Sequence, residues 1–98
     1  MPDSNGTYLH VNTNTAAGGA AVSVNPSAVL KRVVINTVGA AANVLTLYNG
    51  QSTSAPIVAV VNTTNAAVPS LDYNAVFSGG IWYTLLTGTA ADLTFVYQ

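Results

Sequence analysis

Ser70-Leu71-Asp72-Tyr73-Asn74-Ala75-Val76-Phe77-Ser78-Gly79-Gly80-Ile81-Trp82-Tyr83-Thr84-Leu85 decides the fold. Leu71, Tyr73, Ala75 and Phe77 recur at every second residue, with Asp72 and Asn74 between them. Ile81, Tyr83 and Leu85 repeat that spacing, and Leu93, Phe95 and Tyr97 repeat it again beyond Gly88 to Ala91. A period of two is the signature of a strand with one buried face. Ser78-Gly79-Gly80 joins the first two of these strands and supplies positive φ at no steric cost.

The same reading extends toward the N-terminus. Leu45 and Leu47 alternate with Thr46 and Tyr48, and Asn49-Gly50 is a turn dipeptide. Ile57 to Val61 shows little alternation, so this segment is expected either to be buried on both sides or to lie in an interface. Ala40-Ala41-Ala42 follows Gly39 and is too short to nucleate a helix, so it reads as a turn. Strands are expected at about 7–13, 20–25, 29–38, 43–49, 56–62, 70–77, 80–87 and 92–97. Val11-Asn12-Thr13, Ile35-Asn36-Thr37 and Val61-Asn62-Thr63 echo one another, through duplicated hairpins or because strands here end in Asn. A single sheet of this size would leave an apolar face bare. The expected fold is therefore all-β, a two-sheet antiparallel sandwich, jelly-roll-like, of about eight strands. Residues 1–98 read as one β-sandwich domain, with 1–6 as a candidate N-terminal arm.

Charge is the unusual quantity. Asp3, Lys31, Arg32, Asp72 and Asp92 make up 5% of the chain, against about 25% in an ordinary soluble domain. The surface must then be built from Thr, Asn, Ser, Gln, Ala and Gly, and so weakly repulsive a surface favours association. Met1-Pro2-Asp3-Ser4-Asn5 has neither the basic nor the apolar region of a signal peptide, and no apolar run is long enough to span a membrane. Synthesis in a cytoplasm and action in the form in which it is made are expected, with no membrane partner.

Little in the sequence speaks for chemistry. There is no cysteine and His10 is the single histidine, so neither thiolate chemistry nor a transition-metal site is expected. His10 reads as a structural residue, with Asp3 or Asp72 as its nearest candidate carboxylates. Asp72 and Asp92 could converge only if their strands were neighbours. No phosphate-binding loop is present, and no catalytic residue or cofactor is assigned. Lys31 and Arg32 are adjacent in a strand and are expected on opposite faces, too few for nucleic acid, whose affinity needs several phosphate contacts. Trp82 and Tyr83 are also adjacent, so one of them faces away from a core, toward a subunit contact or a sugar. Lys31, Arg32, Trp82 and Tyr48 are the candidate interface residues.

Leu30 to Thr37, Asn43 to Gly50, Phe77 to Tyr83 and Ala91 to Tyr97 together resemble small β-sandwich virion proteins of tailed bacteriophages, of the capsid decoration or cement type. The resemblance covers about residues 29–97 as a pattern of strands and turns. It implies a structural virion protein, a homotrimer on the outer capsid surface that binds and stabilises the major capsid protein after synthesis in the host cytoplasm. The alternative is a carbohydrate- or receptor-binding module of a head or tail fibre.

Overall fold

A computed structural model of the chain describes residues 7–64 and 70–98; the candidate arm at 1–6 lies outside the described residues. The strands are β1 (Thr7–Val11), β2 (Ala20–Ser23), β3 (Ala28–Thr37), β4 (Val44–Asn49), β5 (Ile57–Asn62), β6 (Ser70–Phe77), β7 (Ile81–Leu86) and β8 (Asp92–Tyr97). Sheet A has the order β1-β8-β3-β6 and sheet B the order β2-β7-β4-β5. Every pairing is antiparallel. Only β4 and β5 form a hairpin within one sheet, and every other connection passes from one sheet to the other. That is jelly-roll order. The Ser78–Gly80 turn accordingly carries the chain between sheets. Its Gly80 N–H donates to Phe77 O at 3.1 Å, and Gly80 sits at φ +96°, where a side chain would be strained.

The alternating residues fill the space between the sheets. Leu30, Val33, Leu93 and Phe95 of sheet A meet Leu45, Leu47, Ile81 and Leu85 of sheet B, and all are fully buried. Tyr83 and Phe95 lean together across the layers with ring centroids 5.0 Å apart and planes at 47°, within the range where aromatic pairs gain beyond their area. Burial raises the pKa of the Tyr83 phenol, and that of Tyr73 on β6, above the usual tyrosine range.

One end of the sandwich is closed by polar groups. Asn43 and Thr63 are fully buried. The Asn43 amide nitrogen lies 2.9 Å from Asn14 Oδ1, 3.2 Å from Leu86 O and 2.8 Å from Thr87 O. Its Oδ1 accepts from Thr63 Oγ1 at 2.7 Å and from Ala91 N–H at 3.1 Å. Three loops are thus tied to one side chain of a fourth. Among the described residues no buried side-chain nitrogen or oxygen lacks a partner, as a rigid polar node requires.

Two expectations change, and the reading of the Asn-Thr echo as strand ends stands. Ile57 to Val61 is not buried on both sides: β5 is an edge strand with Ile57, Val58 and Val60 exposed. Lys31 and Arg32 are not on opposite faces, because a bulge lies between Leu30 and Arg32 in both of β3's pairings. Leu30 and Val33, on either side of the charged pair, are both fully buried, so two consecutive residues stay out of the core. The Asn-Thr echo marks the ends of β1, β3 and β5, strands drawn from both sheets rather than duplicated hairpins.

Candidate interaction surface

The outer faces of the two sheets differ in kind. Among the described residues, every charged or histidine side chain sits on a strand of sheet A: His10 on β1, Lys31 and Arg32 on β3, Asp72 on β6 and Asp92 on β8. The strands of sheet B carry none.

On sheet B the alternation that buries Leu45, Leu47, Ile81, Tyr83 and Leu85 turns the intervening residues outward. Tyr48 pairs with Trp82, Thr46 with Thr84, and Val44 with Leu86. The rows continue on both sides, Ala21 opposite Trp82 on β2, and Ile57 opposite Tyr48 and Val60 opposite Thr46 on β5. A row of Ala21, Trp82, Tyr48 and Ile57 thus crosses the whole sheet. The chain entering β2 straps this face. Trp82 Nε1–H donates to Gly18 O at 2.8 Å, Thr15 N–H donates to Leu85 O at 2.8 Å, and Leu85 N–H donates to Thr15 Oγ1 at 3.1 Å. Gly19 makes the close approach, since a Cβ there would stand 2.6 Å from Trp82 Nε1 and 2.4 Å from Tyr83 O. Under this strap Thr84 is buried, while at the far edge Ile57 and Val60 remain 60% and 64% exposed. The uncovered apolar surface of sheet B is therefore concentrated on β5 itself, because its row partner Tyr48 is buried.

Sheet A carries a polar cluster instead. His10 Nε2 lies 2.5 Å from Asp92 Oδ1. Asn36 Nδ2 lies 3.1 Å from the same Asp92 oxygen and 3.0 Å from Thr94 Oγ1. These contacts lace β1, β8 and β3 together across the outer face. The Asn36 amide, then His10, hold the Asp92 carboxyl below the usual carboxylate range. Arg32 Nε and Asp72 Oδ1 stand 3.8 Å apart and exposed, a geometry that contributes little. His10 thus meets Asp92, not Asp3 or Asp72. Asp72 and Asp92 do not converge either, because β3 lies between their strands. Among the described residues no three His, Asp or Glu side chains gather as a metal site would require.

The four candidate interface residues divide two and two: Lys31 and Arg32 on sheet A, Trp82 and Tyr48 on sheet B. They cannot form one patch. Sequence reasoning missed the β5 residues as a bare edge, because weak alternation does not distinguish a central strand from an apolar edge. It also missed Asn36 and Asn43, which are two of many Asn residues until the topology gives them partners.

No family model matches this chain, and no curated protein matches it. Two solved structures share its fold. The Drosophila NLP core, a crystal structure that gave insight into pentamer formation and histone binding, superposes with a TM-score of 0.57 at 11% identity, over 94% of this chain and 96% of that one. The nucleoplasmin-like N-terminal domain of Drosophila FKBP39 gives a TM-score of 0.50 at 17% identity, over 99% of this chain and 91% of that one. Identities this low establish a shared fold. The all-β jelly-roll expectation stands. The resemblance to phage decoration proteins does not, and with it fall the virion location, the major capsid partner, the homotrimer and the carbohydrate-binding alternative. Both of these matches are nucleoplasmin-like domains, and the first is associated with a pentamer. The stretches that carried the resemblance are alternating strands and glycine turns, which any eight-stranded jelly roll of this order requires. The expectation of a non-enzyme agrees at a coarse level with the assembly and histone binding associated with the first of these domains.

Proposed function

We propose that this chain is a non-catalytic, self-associating domain of the nucleoplasmin-like type, whose copies pack through sheet B and present sheet A outward. One observation carries the reading: the charges of the described residues are confined to sheet A, while sheet B is uncharged and bears Ile57, Val58 and Val60 exposed beside half-buried Trp82 and buried Tyr48. An uncharged, partly apolar face loses little on desolvation, whereas burying unpaired charge costs several kcal/mol. A ring requires a head-to-tail contact between unlike patches, and the strapped and bare ends of sheet B are unlike. The pentamer of the Drosophila NLP core is the precedent for a closed ring of such domains. The single-domain reading of residues 1–98 belongs to this proposal.

Histone binding, known for the NLP core, is the finer reading. Asp92 supports it as a carboxylate on the outer face of sheet A. A ring would multiply that carboxylate around one assembly, adding weak contacts to a basic protein by multivalency. With three Asp against two Lys and Arg per chain, such binding would be weak and salt-sensitive.

Sedimentation across a concentration series tests the assembly. The chain should run as a closed oligomer. Leu86→Lys on sheet B should weaken the oligomer by about 100-fold or more, from the unpaired charge it buries, and Val34→Lys on sheet A should leave it intact. A wild-type monomer at every concentration would overturn the proposal. Core histones titrated onto the same oligomer should bind at low salt and lose affinity on Asp92→Asn; equal binding by both proteins would remove the histone reading.

A further inference from the structure

We infer that the outer edge of β5 is a second association site, which takes the β5 strand of another copy in an antiparallel pair and so extends sheet B across a two-fold axis. The inference adds to the proposed self-association a contact of different chemistry, through backbone hydrogen bonds at an edge rather than side chains on a face.

The sandwich has four edge strands, β1 and β6 in sheet A and β2 and β5 in sheet B. Three carry features that discourage pairing. On β6, Asp72 is exposed and Asn74 has φ +48°, which bends the strand. On β1, His10 is tied to Asp92. β2 has four residues and a register shift. β5 has six residues, Ile57-Val58-Ala59-Val60-Val61-Asn62, with no charge, proline or glycine. It too carries a bulge, at Val58, which is skipped between Ala59 opposite Leu47 and Ile57 opposite Tyr48, but the stretch Ala59 to Asn62 beyond it pairs regularly. Among the described residues no strand pairs with its outer edge.

The backbone direction follows from the register. Thr63 N–H donates to Asn43 O at 3.2 Å, and Val61 opposite Leu45 and Ala59 opposite Leu47 continue the same series. Hydrogen bonding to β4 alternates along an antiparallel strand. The amides and carbonyls of Val60 and Asn62 therefore point away from the sheet.

Charge favours a second copy as the occupant. Two β5 strands running antiparallel set Val and Ala against Val and Ala, with no like charges opposed. A β6 pair would bring two copies of Asp72 toward each other, which is destabilising. A charged peptide segment would find no countercharge on sheet B.

Proline distinguishes this site from the face. Asn62→Pro removes an outward donor at a residue outside the apolar face patch, a substitution tolerated on an edge strand, whereas Ala59→Pro removes a donor bonded to β4 and should destabilise the fold. In the Leu86→Lys background, where the face contact is broken, sedimentation should show a dimer, and adding Asn62→Pro should convert it to a monomer with an unchanged circular dichroism spectrum. A monomer before Asn62→Pro is added would overturn the edge pairing while leaving the face reading intact. Asn62→Pro alone should retain the face-mediated oligomer, and its loss there would count against two separate sites. Amide exchange on the wild-type chain gives a reading independent of any variant. The Val60 and Asn62 amides should exchange at least tenfold more slowly in concentrated than in dilute protein. Exchange at an open-edge rate at all concentrations, or slow exchange in a species of monomer mass, would overturn the inference.

Discussion

The inner faces of sheets A and B are nearly interchangeable, while their outer faces share almost nothing. Inside, both sheets contribute fully buried aliphatic or aromatic residues, Leu30, Val33, Phe77, Leu93 and Phe95 against Leu45, Leu47, Ile81 and Leu85. Outside, sheet A holds the His10–Asp92–Asn36–Thr94 cluster and the Arg32–Asp72 pair, and sheet B holds Trp82, Tyr48, Val44, Leu86 and the bare β5. The contrast shows that burial constrains the inner positions of both sheets alike, because both face the same core. The outer positions are free of that demand, so their composition reports what each face meets.

The comparison can be broken at its strongest point, the equivalence of the inner faces. Phe95→Ala on sheet A should cost about 3–5 kcal/mol and Leu47→Ala on sheet B about 2–5 kcal/mol, from lost transfer energy and the cavities left behind. Urea denaturation at one fixed protein concentration measures both, since association adds to apparent stability. A cost below about 1 kcal/mol on one side would mean that this sheet is not a full partner in the core.

A smaller effect tests the strap over sheet B. Trp82→Phe keeps an aromatic ring but removes the 2.8 Å hydrogen bond to Gly18 O. The expected loss is about 1 kcal/mol, with faster amide exchange at Thr15 and Leu85, which the strap joins. Unchanged exchange at those amides would show that the strap is held without the indole.

The smallest effect separates the outer faces by pH. Asp92 titrates below its ordinary value in the folded chain, with Asn36 as the first cause. Its contribution to stability is therefore present above the unfolded carboxylate pKa and is lost as pH falls through the folded one. Asn36→Ala should move the Asp92 midpoint upward in a carboxyl NMR titration and shrink that acid loss. Sheet B carries no carboxylate, so resonances of Trp82 and Thr46 should stay still over the same acid range. Movement there would join the two faces in one titration and undo the contrast.

Several features were legible in the residues alone. Leu71 to Phe77, Ile81 to Leu85 and Leu93 to Tyr97 gave the strand period, and Asn49-Gly50 and Ser78-Gly79-Gly80 gave the breaks. These are local properties, set by side-chain alternation and by which residues tolerate positive φ. Lys31 and Arg32 were misplaced because strict alternation holds only without a bulge, and the bulge belongs to the pairing of β3 with both neighbours. The resemblance to phage proteins failed for a related reason: a list of strands contains no information about which partner lies outside them.

By itself, the sequence determined that this is a charge-poor, cysteine-free β-sandwich with little means for chemistry, because composition and period are properties of the chain. Only the tertiary structure decided that His10 meets Asp92 from 82 residues away, that Asn43 ties three other loops to its own, and that the charges of the described residues share one sheet. Strand order brings residues together across the sandwich, and pairing among eight similar strands is settled by the joint fit of core, turns and register rather than by any one segment.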